Sequence, residues 1–159
     1  AAEAAGDPAA IRAVDPQGSA GREVLAGLLA ASTAAQSDQP DAAVEALRDV
    51  SGDTPDGSVL HDLAELKLVM LEGPDMDPSE RDALLARLSR SGAPFELLAL
   101  EQKAVALIGA GRPEDAVTLI RQIQQKDGLT EALRRRLSEM MVALGAEPVA
   151  GLDGMPVTN

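Results

Sequence analysis

The stretch that decides the fold is APFELLALEQKAVALIGAGRPEDAVTLIRQIQQKDG, residues 93–128. It reads as two helices back to back, parted at Gly109-Ala110-Gly111. Each opens on a proline, Pro94 and Pro113. Proline is tolerated in the first helical turn and glycine suits the place just past the last, so this punctuation marks the boundaries. The first helix is apolar on nearly every side, whereas the second carries one stripe, Val117, Leu119, Ile120 and Ile123. The result is a helical hairpin, and the rest of the chain shows whether it recurs.

It recurs. QPDAAVEALRDV (39–50) aligns with RPEDAVTLIRQI (112–123), placing Pro40 on Pro113, Ala43 on Ala116, Val44 on Val117, Leu47 on Ile120 and Val50 on Ile123. The offset from Pro40 to Pro113 is 73 residues, which is two units of about 36 each. A middle copy is then expected to start its second helix near residue 77. Asp77-Pro78-Ser79-Glu80 is such a start, with a capping acid, a proline at the first position and a Glu placed to reach back. The helix carries Leu84, Leu85 and Leu88 and ends by Ser91-Gly92. Arg81 stands where the other copies have alanine, so this copy is degenerate. Its first helix spans about Ser58 to Leu71, with Leu60, Leu63, Leu66, Val69 and Met70 as the expected buried set.

Outward from these copies, Pro16-Gln17-Gly18-Ser19 is a turn, and Ser19 is the expected cap of a helix from about Ala20 to Ala35. Ala5-Gly6-Asp7-Pro8 copies Ala110-Gly111-Arg112-Pro113, which predicts the tail of one helix over 1–5 and its partner over 8–14. On the other side, LTEALRRRLSEMMVALG (129–145) reads as a final helix capped by Thr130 and closed by Gly145. Residues 147–159 have glycine and proline without periodicity and read as an extended tail, leaving 1–146 as the folded domain.

Composition narrows the function classes. Phe95 is the only aromatic residue, and the net charge is −12. A chain this acidic repels nucleic acid, and one phenylalanine makes no stacking platform for single strands. With no cysteine, thiolate metal sites, thiol nucleophiles and disulfides are excluded. No run of eighteen apolar residues is present to span a bilayer. The acids concentrate in residues 37–82, which hold thirteen acids and three bases, against nine of each in 83–159.

Residues that invite a catalytic reading have structural ones. His61 is the sole histidine and reads as a polar residue flanking Leu60 and Leu63 on a helix rather than a general base. The acids at 75–82 lack the central glycine and terminal glutamate of a calcium loop, and Asp77 and Glu80 suit a helix N-terminus. Arg134, Arg135 and Arg136 point in three directions about 100° apart. No catalytic, metal or cofactor residue is expected.

In length and packing pattern the hairpin resembles a tetratricopeptide repeat, with Ala104 and Ala116 at its two small positions and Leu100, Leu107 and Ile120 at large ones. Lys103 and Gly128 depart from that pattern. The expected fold is therefore an all-α, tetratricopeptide-like solenoid of about three hairpins with a C-terminal capping helix, since terminal units of a solenoid need covering. By that geometry the partner-facing residues are Leu25, Leu28 and Ser32 in the first full copy, and Leu98, Glu101, Val105 and Ile108 in the last.

The run from Leu88 to Gly145, together with the AAGDPAA opening, further resembles the YfgM family. The resemblance implies a periplasmic domain held to the inner membrane by a helix upstream of Ala1. It also implies a role as an ancillary subunit of the SecYEG translocon, beside the chaperone PpiD. The expected function is a non-enzymatic protein–protein interaction domain with no cofactor. Alternatives are a periplasmic scaffold for envelope assembly or cell division, a self-associating module, and a small metal-dependent helical enzyme with carboxylates at 75–82.

Overall fold

A computed structural model describes residues 19–147. Among them are seven α-helices and no strand, so the chain adopts the expected all-α class. The helices are α1 (Ser19–Gln36), α2 (Pro40–Asp53), α3 (Val59–Glu72), α4 (Pro78–Leu88), α5 (Glu96–Gly109), α6 (Pro113–Gln124) and α7 (Glu131–Ala143). A short 3-10 turn at Gly73–Asp75 joins α3 to α4. The helices expected at 1–5 and 8–14, and the tail beyond Glu147, lie outside the described residues. Two compact units divide the chain between Gln102 and Lys103, inside α5.

In the first unit α1 packs along α2, α2 along α3, and α3 along α4. α2 shows why the stripe read from sequence folds as it does. Ala43 is fully buried, and Leu47 and Val50 are nearly so, at the 3- and 4-residue spacing that lines one helix face. α1 approaches this face closely at Gly27, where an added Cβ would lie 2.5 Å from Cγ2 of Val50. α3 is buried on most sides through Leu60, Leu63, Ala64, Leu66, Leu68 and Val69, as befits a helix with neighbours on both flanks. Each leucine so buried contributes roughly 1.5–3 kcal/mol. Met70, expected among them, is exposed instead; it sits two residues from the end of α3.

α4 differs from its equivalents. Its buried residues are Leu85 and Leu88, near its C-terminal end. At the place where α2 and α6 bury Ala43 and Ala116 completely, α4 has Arg81, whose Nε is buried with an ion-pair neighbour, Asp82, 3.7 Å away. A long, largely buried cationic side chain thus stands where the other copies have a methyl group, which is the physical content of this copy's degeneracy.

Two of the expected caps form, while Ser19, expected to cap α1, is instead its first residue. Asp77 accepts from the backbone N–H of Ser79 and Glu80, and Thr130 from that of Leu133. The Glu80 side chain does not close the reciprocal half of a capping box. Ser58 caps α3 by accepting from the His61 N–H. α5 begins at Glu96 rather than at Pro94. Pro94 and Phe95 lie in a preceding turn in which the Glu96 N–H donates to the Ala93 carbonyl, and the Glu96 carboxylate turns back to accept from the Gly92 N–H at 2.8 Å.

In the second unit α6 packs on α7. α6 buries Ala116, Ile120 and Ile123, while α7 buries Leu133, Leu137 and Met141, each four residues apart. α7 is thus a one-sided helix, with Arg134, Arg135 and Val142 left in solvent.

Candidate functional site

The residues expected to face a partner fall on two helices. On α1, Leu25 is 37% exposed, and Leu28 and Ser32 are half-buried. Gly27 faces α2, and a residue two places away on a helix lies about 200° round the axis. Leu25 and Leu29 therefore point away from α2, on the outer face of α1. Leu29, not anticipated from the sequence, is the most exposed large apolar side chain among the described residues, at 68%. On α5, Leu98 and Ile108 are half-buried and Val105 is 48% exposed. Glu101 is 6% exposed, so its carboxylate lies beneath the surface that the repeat geometry assigned to it.

The densest polar chemistry sits elsewhere, around His61, which the sequence presents only as a polar residue between leucines. His61 is buried, and its Nδ1 lies 3.0 Å from the Ser51 carbonyl at the end of α2. Its Nε2 lies 3.2 Å from Oε1 of Glu65, one turn further along α3, and 3.7 Å from Oδ1 of Asp56 in the preceding loop. Glu65 also pairs through its other oxygen with Arg87 of α4. Arg87 in turn donates to Oδ1 of the buried Asp62 at 2.6 Å. Thr54 Oγ1 donates to the Val50 carbonyl at 2.7 Å and lies 3.4 Å from Nδ1 of His61. One imidazole, two carboxylates and a guanidinium thus bind α3 to α4 and to the end of α2.

This cluster ties helices together. The nearby hydroxyls are committed: Thr54 to the Val50 carbonyl, and Ser58 to the N-terminus of α3. Among the described residues no group of three or more His, Asp or Glu side chains is placed to hold a metal ion, the acids at 75–82 included. A second, exposed tie runs from Arg48 of α2 to both oxygens of Glu72 at the end of α3, at 2.8 and 3.0 Å. The hydrogen bond to Glu72, reinforced by its charge, raises the Arg48 pKa above the usual arginine value.

Charge is distributed unequally along the described chain. Residues 19–102 carry sixteen acids and six bases, a net of −10, while residues 103–147 carry six acids and seven bases, a net of +1. Asp41, Glu45 and Asp49 form an exposed row along α2, opposite its buried stripe, and like charges four apart cost a helix a few tenths of a kcal/mol per pair. No helix among the described residues is long and apolar enough to cross a membrane. No family model, curated protein or solved structure matches the chain.

Proposed function

We propose that this chain is a non-enzymatic interaction domain that docks partner proteins on the exposed faces of helical hairpins. The observation that carries this reading is the outer face of α1: Leu25 and Leu29 are exposed one turn apart on a helix whose opposite face is tightly packed. An isolated exposed leucine needs no explanation, but a row aligned on one face is the arrangement that partner helices use. Two hairpin linkers with the same backbone geometry, 73 residues apart, support a repeated architecture of tetratricopeptide type. Fold alone does not fix function. The partner class comes from the resemblance to the YfgM family: the SecYEG translocon and a PpiD-like chaperone, with the domain on the periplasmic side of the inner membrane. Crosslinking the parent protein in its native membranes tests this. Recovery of translocon subunits or a PpiD-like chaperone is expected, and adducts confined to cytoplasmic proteins would sink the proposal.

A further inference from the structure

We infer that the face carrying Leu25 and Leu29 takes an acidic amphipathic helix; this rests on the docking role proposed above and names the chemistry of the partner. Residues 19–102 hold six bases among sixteen acids. Three of the bases are tied to carboxylates: Arg48 to Glu72, Arg81 to Asp82, and Arg87 to Asp62 and Glu65. Arg90 donates to the Arg87 carbonyl. Arg22 and Lys67 have no such tie among the described residues. In a unit this rich in acids, the two cations left without one both stand beside the exposed leucines.

Arg22, Leu25 and Leu29 are spaced i, i+3 and i+7, one stripe of α1. Lys67 belongs to the helix alongside. α1 and α3 both pack on α2, whose buried residues form a single stripe, and short links make each antiparallel to it, so α1 and α3 run side by side in the same direction. They meet α2 at one level, Gly27 against Val50 and the His61 ring against the Ser51 carbonyl. At about 100° per residue, Met70, nine places after His61, points away from α2 as Leu29 does on α1, which accounts for its exposure. Lys67 lies about 120° round from His61, on the flank opposite Asp62 and Glu65 and so away from α4. From the common level Arg22 is five residues toward one end and Lys67 six toward the other. At 1.5 Å per residue the two cations stand about 16 Å apart along the axes, with Leu25 and Leu29 between them. No free acid shares these rows. Glu23, the one acid of α1, is a turn before Gly27 on the side that meets α2, and the three acids of α3 are paired with Arg87 and Arg48. An apolar stretch bounded at each end by a cation complements a helix with leucine-like side chains one turn apart and an Asp or Glu at either end, about three turns from one another. Net charge alone selects a cationic partner; this face selects the opposite.

The test selects, on the full chain, from a displayed library of helical peptides with two leucines fixed one turn apart and every other position random. Enrichment of Asp or Glu on both sides of the leucines is expected. An enriched peptide should bind about tenfold more weakly to the Arg22→Gln, Lys67→Gln double variant, and more weakly to the wild type as salt is added. Enrichment of Lys and Arg instead, or acidic peptides that bind the double variant as tightly as the wild type, overturns the inference and leaves docking on α1 standing. Peptides indifferent to Leu29→Asp, or no enrichment at all, remove the docking face and the inference with it.

Discussion

Asp38 and Gly111, 73 residues apart, hold the same backbone position. Both have positive φ, 56° and 71°. In each case the next residue donates back across five positions, Gln39 to the Ala34 carbonyl and Arg112 to the Leu107 carbonyl, both at 2.9 Å. This is the bond by which a helix that ends in a left-handed residue satisfies its last carbonyls. Glycine takes that conformation without strain, whereas a residue with a Cβ does so at a cost of roughly 1–2 kcal/mol, somewhat less for Asp. Asp38→Gly is therefore expected to raise stability by about 0.5–1 kcal/mol, and Gly111→Ala to lower it by about 1–2 kcal/mol. No atom outside the adjoining backbone lies within 4 Å of a Cβ at Gly111, so the loss measured by chemical denaturation reports backbone strain alone. Equal responses at the two sites would show that they are not equivalent.

Gly27 and Gly52 separate packing from helix propensity. Both lie in helices, but a Cβ on Gly27 would meet Val50 at 2.5 Å, whereas one on Gly52 would meet nothing within 4 Å. Alanine favours a helix over glycine by about 1 kcal/mol. Gly52→Ala is expected to stabilise by about 0.5–1 kcal/mol. Gly27→Ala is expected to destabilise by about 1–2 kcal/mol, because Val50 is buried and its branched side chain has little rotameric freedom to yield. Thermal unfolding of the two variants should shift in opposite directions; a gain at both positions would mean that α1 and α2 do not approach as described.

The two arginine ties of the first unit should differ sharply in strength. The Arg87 side chain is 29% exposed and joins two carboxylates, Asp62 and Glu65, at 11% and 15%, whereas Arg48 is 51% exposed and joins one, Glu72, at 19%. Arg87→Met leaves two shielded carboxylates without their shared cation and is expected to cost about 3–5 kcal/mol. A double-mutant cycle on Arg48 and Glu72 should return less than about 1 kcal/mol of coupling, as exposed pairs do. Comparable values for both would mean that the Arg87 cluster is wetter than its geometry indicates.

Much of this was legible in the sequence because it is periodic. Ala43 and Ala116, matched by alignment, are both completely buried, and so nearly are Leu47 with Ile120 and Val50 with Ile123. Asp77 and Thr130 declare themselves as caps through local chemistry alone. The His61 cluster was legible only in part: His61 and Glu65 stand four apart, the spacing that lets side chains meet on one helix, but Ser51 and Arg87 come from α2 and α4, 36 positions apart, and no spacing rule connects those. Glu101 shows the converse. The repeat register assigns it to a partner-facing position, yet burial depends on what packs over a helix, which register does not specify. The signal for Leu29 was present, one turn after Leu25, and it was masked by the run of alanine and leucine on every side of α1.

The claim that partners dock on the outer face of α1 is tested most directly by placing a photocrosslinking side chain at single positions of the parent protein in living cells. Positions 25 and 29 are compared with position 49, which lies on the acidic row of α2. The account predicts partner adducts from 25 and 29, carrying a translocon subunit or a PpiD-like chaperone, and none from 49. Adducts of equal yield from all three positions, or from 49 alone, would contradict it.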